Sequence, residues 1–106
     1  MIEEPQINDY VICYIDPEYF TGLRKELEYI NNTIGQLYKT RDENVYNSFH
    51  YYIKYWMEIP EDIKYWFGYI KQEKCYYRSV KREDILHFSS SLEELQIIKT
   101  TEKYNL

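Results

Sequence analysis

The 106-residue chain contains no alanine and only three glycines and three prolines. Because alanine is the strongest helix former, its absence beside many aromatic and β-branched residues favours strands over helices. The glycines, Gly22, Gly35 and Gly68, lie far apart, which excludes a glycine-rich loop that cradles a nucleotide phosphate. No apolar run approaches the roughly 18 residues of a membrane-spanning helix, so no membrane partner is expected.

Cysteine is also scarce, since only Cys13 and Cys75 occur and they are distant in the chain. Structural disulfides belong mainly to oxidising compartments. Residues 1–5 are acidic and lack the basic stretch followed by an apolar stretch that marks a secretory signal. We therefore expect two buried free thiols in a cytoplasmic protein.

The residues capable of catalysis or metal binding do not form a recognisable set. His50, His87 and the two cysteines are not paired at the short spacings that let one loop present two metal ligands. The serines of residues 89–91 are better explained as a helix cap than as nucleophiles beside His87. Adjacent carboxylates such as Glu83 and Asp84 point in different directions, so they form no facing acid–base pair. The sequence predicts a non-enzymatic protein with no catalytic residue, cofactor or metal.

The length and composition predict one globular domain over residues 1–106, with 44% hydrophobic and 29% charged residues. Tyrosine occurs 14 times. Its ring is apolar and its hydroxyl can stay in water, so it suits a small core and its rim. Some of these tyrosines must be exposed.

Six segments have the composition of short strands. In the third segment, residues 49–56, Phe49, Tyr51, Ile53 and Tyr55 alternate with His50, Tyr52, Lys54 and Trp56, which is the period of a strand. Gly35 indicates a bulge or a close backbone approach in the second segment. Polar turns are expected at 41–44, with 48 as the farthest end, and at 71–74. Residues 59–62, which contain Pro60, are expected to end the third strand. The six predicted strands are 9–15, 33–40, 49–56, 65–70, 75–80 and 85–88.

Two helical segments are expected. Asp16, Pro17 and Glu18 form a helix start signal, and apolar residues follow at helical spacing, so residues 17–30 are predicted as a short helix or helical turn in the first connection. Capping-box patterns pair Ser90 with Glu93 and Ser91 with Glu94, which predicts a C-terminal helix over 91–99. A single turn at 81–84 precedes the last strand, and residues 100–106 are expected to fray.

Short strands joined by tight turns predict a strongly bent antiparallel sheet, and closure into a barrel would remove its exposed edges. The segments NDYVICYI, NNTIGQLYKT, YYIKYW and VKREDILHF resemble, in this order, small SH3-like barrels of the KOW and Tudor kind. The resemblance covers about residues 8–89 and implies a small antiparallel barrel and a binding role, but no site residue. Together with the helical first connection and the C-terminal helix, the expected fold is mainly β with minor α. The composition also resembles that of short uncharacterised proteins of AT-rich bacteria and their phages, and a regulatory or inhibitory role is one that we consider for this chain.

The main functional interpretation is a module that binds another protein. Aromatic residues flank the break at 59–62 and would form one surface if the third and fourth strands were neighbours, although both tryptophans could instead plug the barrel ends. The formal net charge of −5 favours a partner with a basic patch. The candidate protein-binding residues are Tyr55, Trp56, Trp66 and Phe67.

The alternative interpretation is a nucleic-acid-binding barrel. Residues 64–82 carry six basic residues against Glu73 and are interleaved with aromatic rings, the mixture that binds phosphates and stacks on bases. The acidic balance of the whole chain argues against a dedicated nucleic-acid binder. The oligomeric state is left open. The candidate nucleic-acid-binding residues are Lys64, Lys71, Lys74, Arg78, Lys81 and Arg82.

Overall fold

The computed structural model describes residues 4–43 and 48–104, and within them it forms one antiparallel sheet with two α-helices. The prediction of a mainly β fold with a C-terminal helix is confirmed. The strands are β1 (Tyr10–Cys13), β2 (Gly35–Glu43), β3 (Ser48–Tyr55), β4 (Gly68–Ile70), β5 (Cys75–Lys81) and β6 (Ile85–Ser89). The helices are α1 (Arg24–Asn32) and α2 (Leu92–Tyr104), and short 3₁₀ turns occur at Pro17–Tyr19, Glu61–Trp66 and Arg82–Asp84.

The strands lie in the order β4-β5-β3-β2-β1-β6, and each neighbouring pair is antiparallel. Two register irregularities, at Ile12/Cys13 in β1 and between Leu37 and Lys39 in β2, bend the sheet. Among the described residues no ladder joins β4 to β6, so the strand pairing does not show a closed barrel.

One face of the sheet, the core face, carries Tyr51, Ile53 and Tyr55 of β3. These side chains are buried, as the period of two in this segment requires. Ile30 of α1 and Ile63 of the second 3₁₀ turn pack onto the same cluster, so the first connection and the segment after β3 cover this face. Burying each large apolar side chain contributes about 1.5–3 kcal/mol.

The opposite face, the outer face, is covered by α2 only in part. Leu95 of α2 is fully buried in a second cluster with Ile12 and Ile34. The helix packs against β1 and β6. Where side chains are described, those on the outer face of β2, β3 and β5 belong to neither buried cluster.

The first connection differs from the predicted helix over 17–30. Asp16 Oδ1 accepts a hydrogen bond from the Glu18 backbone N–H at 3.0 Å, which confirms the start signal. The turn ends at Tyr19, however, and α1 begins only at Arg24. Glycine has low helix propensity, so Gly22 explains the interruption.

Other predicted boundaries were wrong. Residues 41–43 continue β2 instead of turning, Tyr65 and Trp66 belong to a 3₁₀ turn instead of the fourth strand, and α2 runs to Tyr104 although residues beyond 99 were expected to fray. The Glu94 backbone N–H donates to Ser91 Oγ at 3.3 Å, so the second of the two capping patterns starts this helix. Residues 1–3, 44–47 and 105–106, which include part of the acidic N-terminus, the polar turn and the tail, lie outside the described residues.

Candidate functional site

Two of the four predicted protein-binding residues belong to the core. Tyr55 is 1% exposed and Phe67 is 8% exposed, and their ring centroids lie 6.0 Å apart. Tyr55 lies two residues after Ile53 in β3, so its side chain points to the same side of the sheet, the core face. These two rings are unavailable to a partner, so their assignment to a binding surface was wrong.

The two tryptophans have different surroundings. Trp66 packs against the core cluster, and the Arg78 guanidinium carbon lies 3.9 Å from the centre of its ring. Arg78 also donates from Nη1 to the Trp66 carbonyl at 2.8 Å, and burial lowers the pKa of this arginine. Trp56, at the end of β3, is 44% exposed. The four predicted residues therefore do not form one surface, and Trp56 is the member that lies open.

Trp56 lines a cleft of about 470 Å³ between the end of α1, the start of β2 and α2. We call this site the Trp56 cleft. Its apolar wall includes Met57, which is 57% exposed. Residues of α2 also line it, although no sequence pattern singled them out. The residues that line the cleft are Tyr29, Asn32, Thr33, Ile34, Trp56, Met57, Glu58, Leu92, Gln96, Lys99 and Thr100.

Two contacts position residues of the Trp56 cleft. The Tyr29 hydroxyl donates to the Met57 carbonyl at 3.2 Å, which ties the segment after β3 to α1. Burial raises the pKa of Tyr29 to about 12, so this phenol stays a hydrogen-bond donor well above neutral pH. Trp56 makes an edge contact with the Tyr10 ring at a centroid distance of 5.8 Å. Trp56 is thereby supported from one side while part of its ring stays accessible.

The six predicted basic residues do not form one patch. Lys64 pairs with Glu61 at 2.5 Å, and Arg82 Nε pairs with Glu4 at 3.0 Å. Because side chains alternate along a strand, Arg78 points to the core face of β5 and Lys81 to the outer face. Lys71 and Lys74 are exposed in the turn between β4 and β5. The basic residues of 64–82 therefore lie on different faces of the sheet, and Lys64 and Arg82 are paired with acids. They do not form one continuous basic surface.

Both cysteines are free and buried, as predicted. Burial raises the pKa of the Cys13 thiol to about 12, which makes it a poor nucleophile. Within residues 4–43 and 48–104, no group of three or more His, Cys, Asp or Glu side chains is placed to hold a metal ion. Across the same residues, no helix is long and apolar enough to cross a membrane.

No protein-family model matches the chain, and neither a curated protein nor a solved structure is significantly similar to it. Trp56 and Met57 are both exposed and lie together in one cleft with a mainly apolar lining.

Proposed function

We propose that the chain is a single-domain, non-enzymatic binding module of the SH3-like kind in the cytoplasm, and that it binds another protein at the Trp56 cleft. The order β6-β1-β2-β3-β5, the long connection from β1 to β2 and the 3₁₀ turn before β6 support the SH3-like class. The two bulges increase the bend of the sheet, which supports closure into a barrel.

The observation that carries the protein-binding role is the partial exposure of Trp56 beside Met57 in an apolar cleft. Tryptophan is enriched among the residues that dominate binding energy, because its large rigid ring buries much area at little entropic cost. Methionine adapts its shape to different apolar partners. The pair thus offers one rigid and one adaptable contact.

The partner segment that fits best carries an apolar anchor flanked by basic residues. The cleft has room for a small number of side chains, which matches a short segment better than a flat protein surface. Glu58 and Lys99 are the charged residues among those lining the cleft, so the preference for a basic segment rests on the net charge of −5, which attracts such a segment at long range.

Peptide selection tests this proposal. A random dodecapeptide library displayed on phage is selected on the immobilised protein, and a consensus peptide is synthesised with a fluorescent label. We expect apolar anchors next to lysine or arginine. We also expect Trp56→Ala to weaken binding of that peptide by at least about tenfold, the loss typical of a central interface tryptophan.

The matched control is Tyr65→Ala, because Tyr65 is an aromatic residue that is 74% exposed and lies outside the cleft. This variant should bind the peptide like the unchanged protein. A selection without a consensus, or a consensus peptide that binds the Trp56→Ala variant equally well, would overturn the proposal.

A further inference from the structure

Three tyrosines and three lysines gather on the part of the outer face that α2 leaves uncovered. In β3, Tyr52 and Lys54 point away from the core because Tyr51 and Ile53 point into it. In the β3–β5 ladder, Lys54 lies opposite Tyr77, and His50 lies opposite Lys81. We call the resulting surface the tyrosine face; its residues are Tyr38, Lys39, Tyr52, Lys54, Tyr77 and Lys81.

The bulge in β2 brings two consecutive residues to this face. Leu37 pairs with Ile53, but Lys39 pairs with Tyr52, so Tyr38 is the extra residue. In a regular strand Tyr38 and Lys39 would point to opposite faces. Here the Tyr38 ring contacts Tyr52, and Lys39 Nζ lies 5.0 Å from the centre of the Tyr52 ring. Bulges commonly redirect side chains next to functional sites.

The three rings touch one another in a triangle. The centroid distances are 6.4 Å for Tyr38–Tyr52, 5.8 Å for Tyr38–Tyr77 and 5.7 Å for Tyr52–Tyr77. Each tyrosine is partly exposed. Tyr77 also lies over Gly68 of β4, where a Cβ atom would clash with its ring. The face is therefore a preorganised aromatic surface with its rings in contact with solvent.

Positive charge surrounds these rings although the chain as a whole is acidic. Lys39 and Lys81 are exposed, and Lys71 and Lys74 lie in the adjoining turn between β4 and β5. Lys54 is largely covered and pairs with Glu73 at 2.7 Å. An anionic ligand is the one that such a surface attracts.

We propose that the tyrosine face binds single-stranded nucleic acid, with Tyr38, Tyr52 and Tyr77 stacking on bases and Lys39 and Lys81 contacting phosphates. Rings set among cations on an open sheet are the combination that single strands require, because their bases are free to stack. A duplex keeps its bases paired inside, so the rings would have no base face to contact. The face shares no residue with the Trp56 cleft, and this proposal stands independently of the proposed protein binding.

Fluorescence anisotropy tests this proposal with labelled dodecathymidylate, dodecauridylate and a duplex of the same length. We expect the single strands to bind more tightly than the duplex. Their affinity should fall roughly tenfold between about 50 and 200 mM salt, as expected when a few lysines neutralise phosphates. Tyr52→Ala should weaken binding by at least about tenfold through the lost stack.

If Tyr52→Ala fails to fold, two variants with a reversed charge still test the proposal. Lys39→Glu and Lys81→Glu change exposed side chains, and each should weaken single-strand binding and reduce its salt dependence. Tyr65→Ala and Lys25→Ala are the matched controls outside the face and should bind normally. Trp56→Ala should also bind normally, so failure of this proposal is distinguishable from failure of the peptide-binding proposal. Circular dichroism checks that every variant is folded.

Three results would overturn the inference. The first is no single-strand binding at protein concentrations up to about 100 µM in low salt, the weak end of non-specific binding. The second is equal binding of duplex and single strand with no effect of Tyr52→Ala or the charge reversals, which indicates diffuse attraction. The third is a poly-glutamate peptide binding as tightly as the oligonucleotides, which assigns the face to an acidic protein.

Discussion

The two faces of β3 use the same residue type for opposite purposes. Tyr51 and Tyr55 are buried on the core face, whereas their neighbour Tyr52 is partly exposed on the outer face. The Tyr51 hydroxyl donates to Glu4 Oε2 at 3.0 Å, so this ring is connected to a distant part of the chain. Tyr52 instead contacts other rings of its own face. The amino-acid type alone does not decide whether a tyrosine stabilises the fold or is available to a ligand.

The difference arises from what covers each face. The core face is covered by α1 and the segment after β3, and its rings fill space between elements. On the outer face, α2 packs on β1 and β6, whereas Tyr38, Tyr52 and Tyr77 of β2, β3 and β5 stay partly exposed. Stability should therefore depend on the core face, and ligand binding on the bare part of the outer face.

Replacing the adjacent residues Tyr52 and Ile53 of β3 by alanine should give the largest difference in stability between the two faces. Ile53 is fully buried, so Ile53→Ala should lower the free energy of unfolding by about 3 kcal/mol through lost transfer energy and the cavity. Tyr52→Ala should lower it by about 1 kcal/mol or less, because exposed cross-strand contacts contribute little. Urea denaturation measures both. Equal losses would contradict the division between the two faces.

The two glycines that approach rings test the same division with a smaller effect. An added Cβ at Gly35 would clash with Ile53 Cγ2 and lie 2.8 Å from Tyr55 Cε1, both in the packed core. Gly35→Ala should lower the free energy of unfolding by about 2 kcal/mol, a typical cost of overpacking. At Gly68 the clash is with Tyr77, whose ring can move toward solvent, so Gly68→Ala should cost less and mainly weaken oligonucleotide binding.

Gly22→Ala is the control for the glycine pair. Nothing lies within 4 Å of an added Cβ there, so stability should stay constant or rise by about 0.5 kcal/mol. Thermal or urea unfolding compares the three variants. If Gly68→Ala proved more costly than Gly35→Ala, the outer face would be as tightly packed as the core.

The smallest expected difference between the two faces is in the reactivity of the two cysteines. Cys13 lies in the core cluster with a pKa raised to about 12 by burial. Burial and the nearby Glu73 carboxylate also raise the pKa of Cys75 from its ordinary value, and the Lys54 ammonium opposes part of that rise, whereas among the described residues no opposing cation acts on Cys13. Because the thiolate is the reactive form, iodoacetamide at about pH 8 should label Cys75 at least about tenfold faster than Cys13.

Peptide mass spectrometry after brief labelling of the unchanged protein separates the two cysteines. In urea their rates should converge, since burial causes the difference. Faster labelling of Cys13 in the folded protein would show that the core face opens more readily than the outer face.

Much of the fold was predictable because strand patterns are local. The alternation in residues 49–56 correctly grouped Tyr51, Ile53 and Tyr55 on one face. The close approach at Gly35 and the single turn before β6 were also confirmed. The position of the bulge was not predictable, because it falls at Tyr38 and follows from the pairing of β2 with β3.

The candidate sites were predicted less well because they depend on distant contacts. The sequence pattern placed Tyr55 and Tyr52 on opposite faces of the strand, but Tyr55 was assigned to a binding surface. The sequence does not show which of the two faces other elements cover. The basic residues of 64–82 are adjacent in sequence, but Arg82 pairs with Glu4 from the other end of the chain. Tyr38 and Lys39 were not candidates at all, since only the sheet brings them beside Tyr52 and Tyr77.

The sequence by itself determined where most strands run and which residues of β3 share a face. These properties follow from neighbouring residues, whose propensities and spacing act over a few positions. Only the tertiary structure decided which face became the core, how the cations divided and where the tyrosines gathered. Burial and charge pairing are set by segments far apart in the chain, and their packing has no local signal.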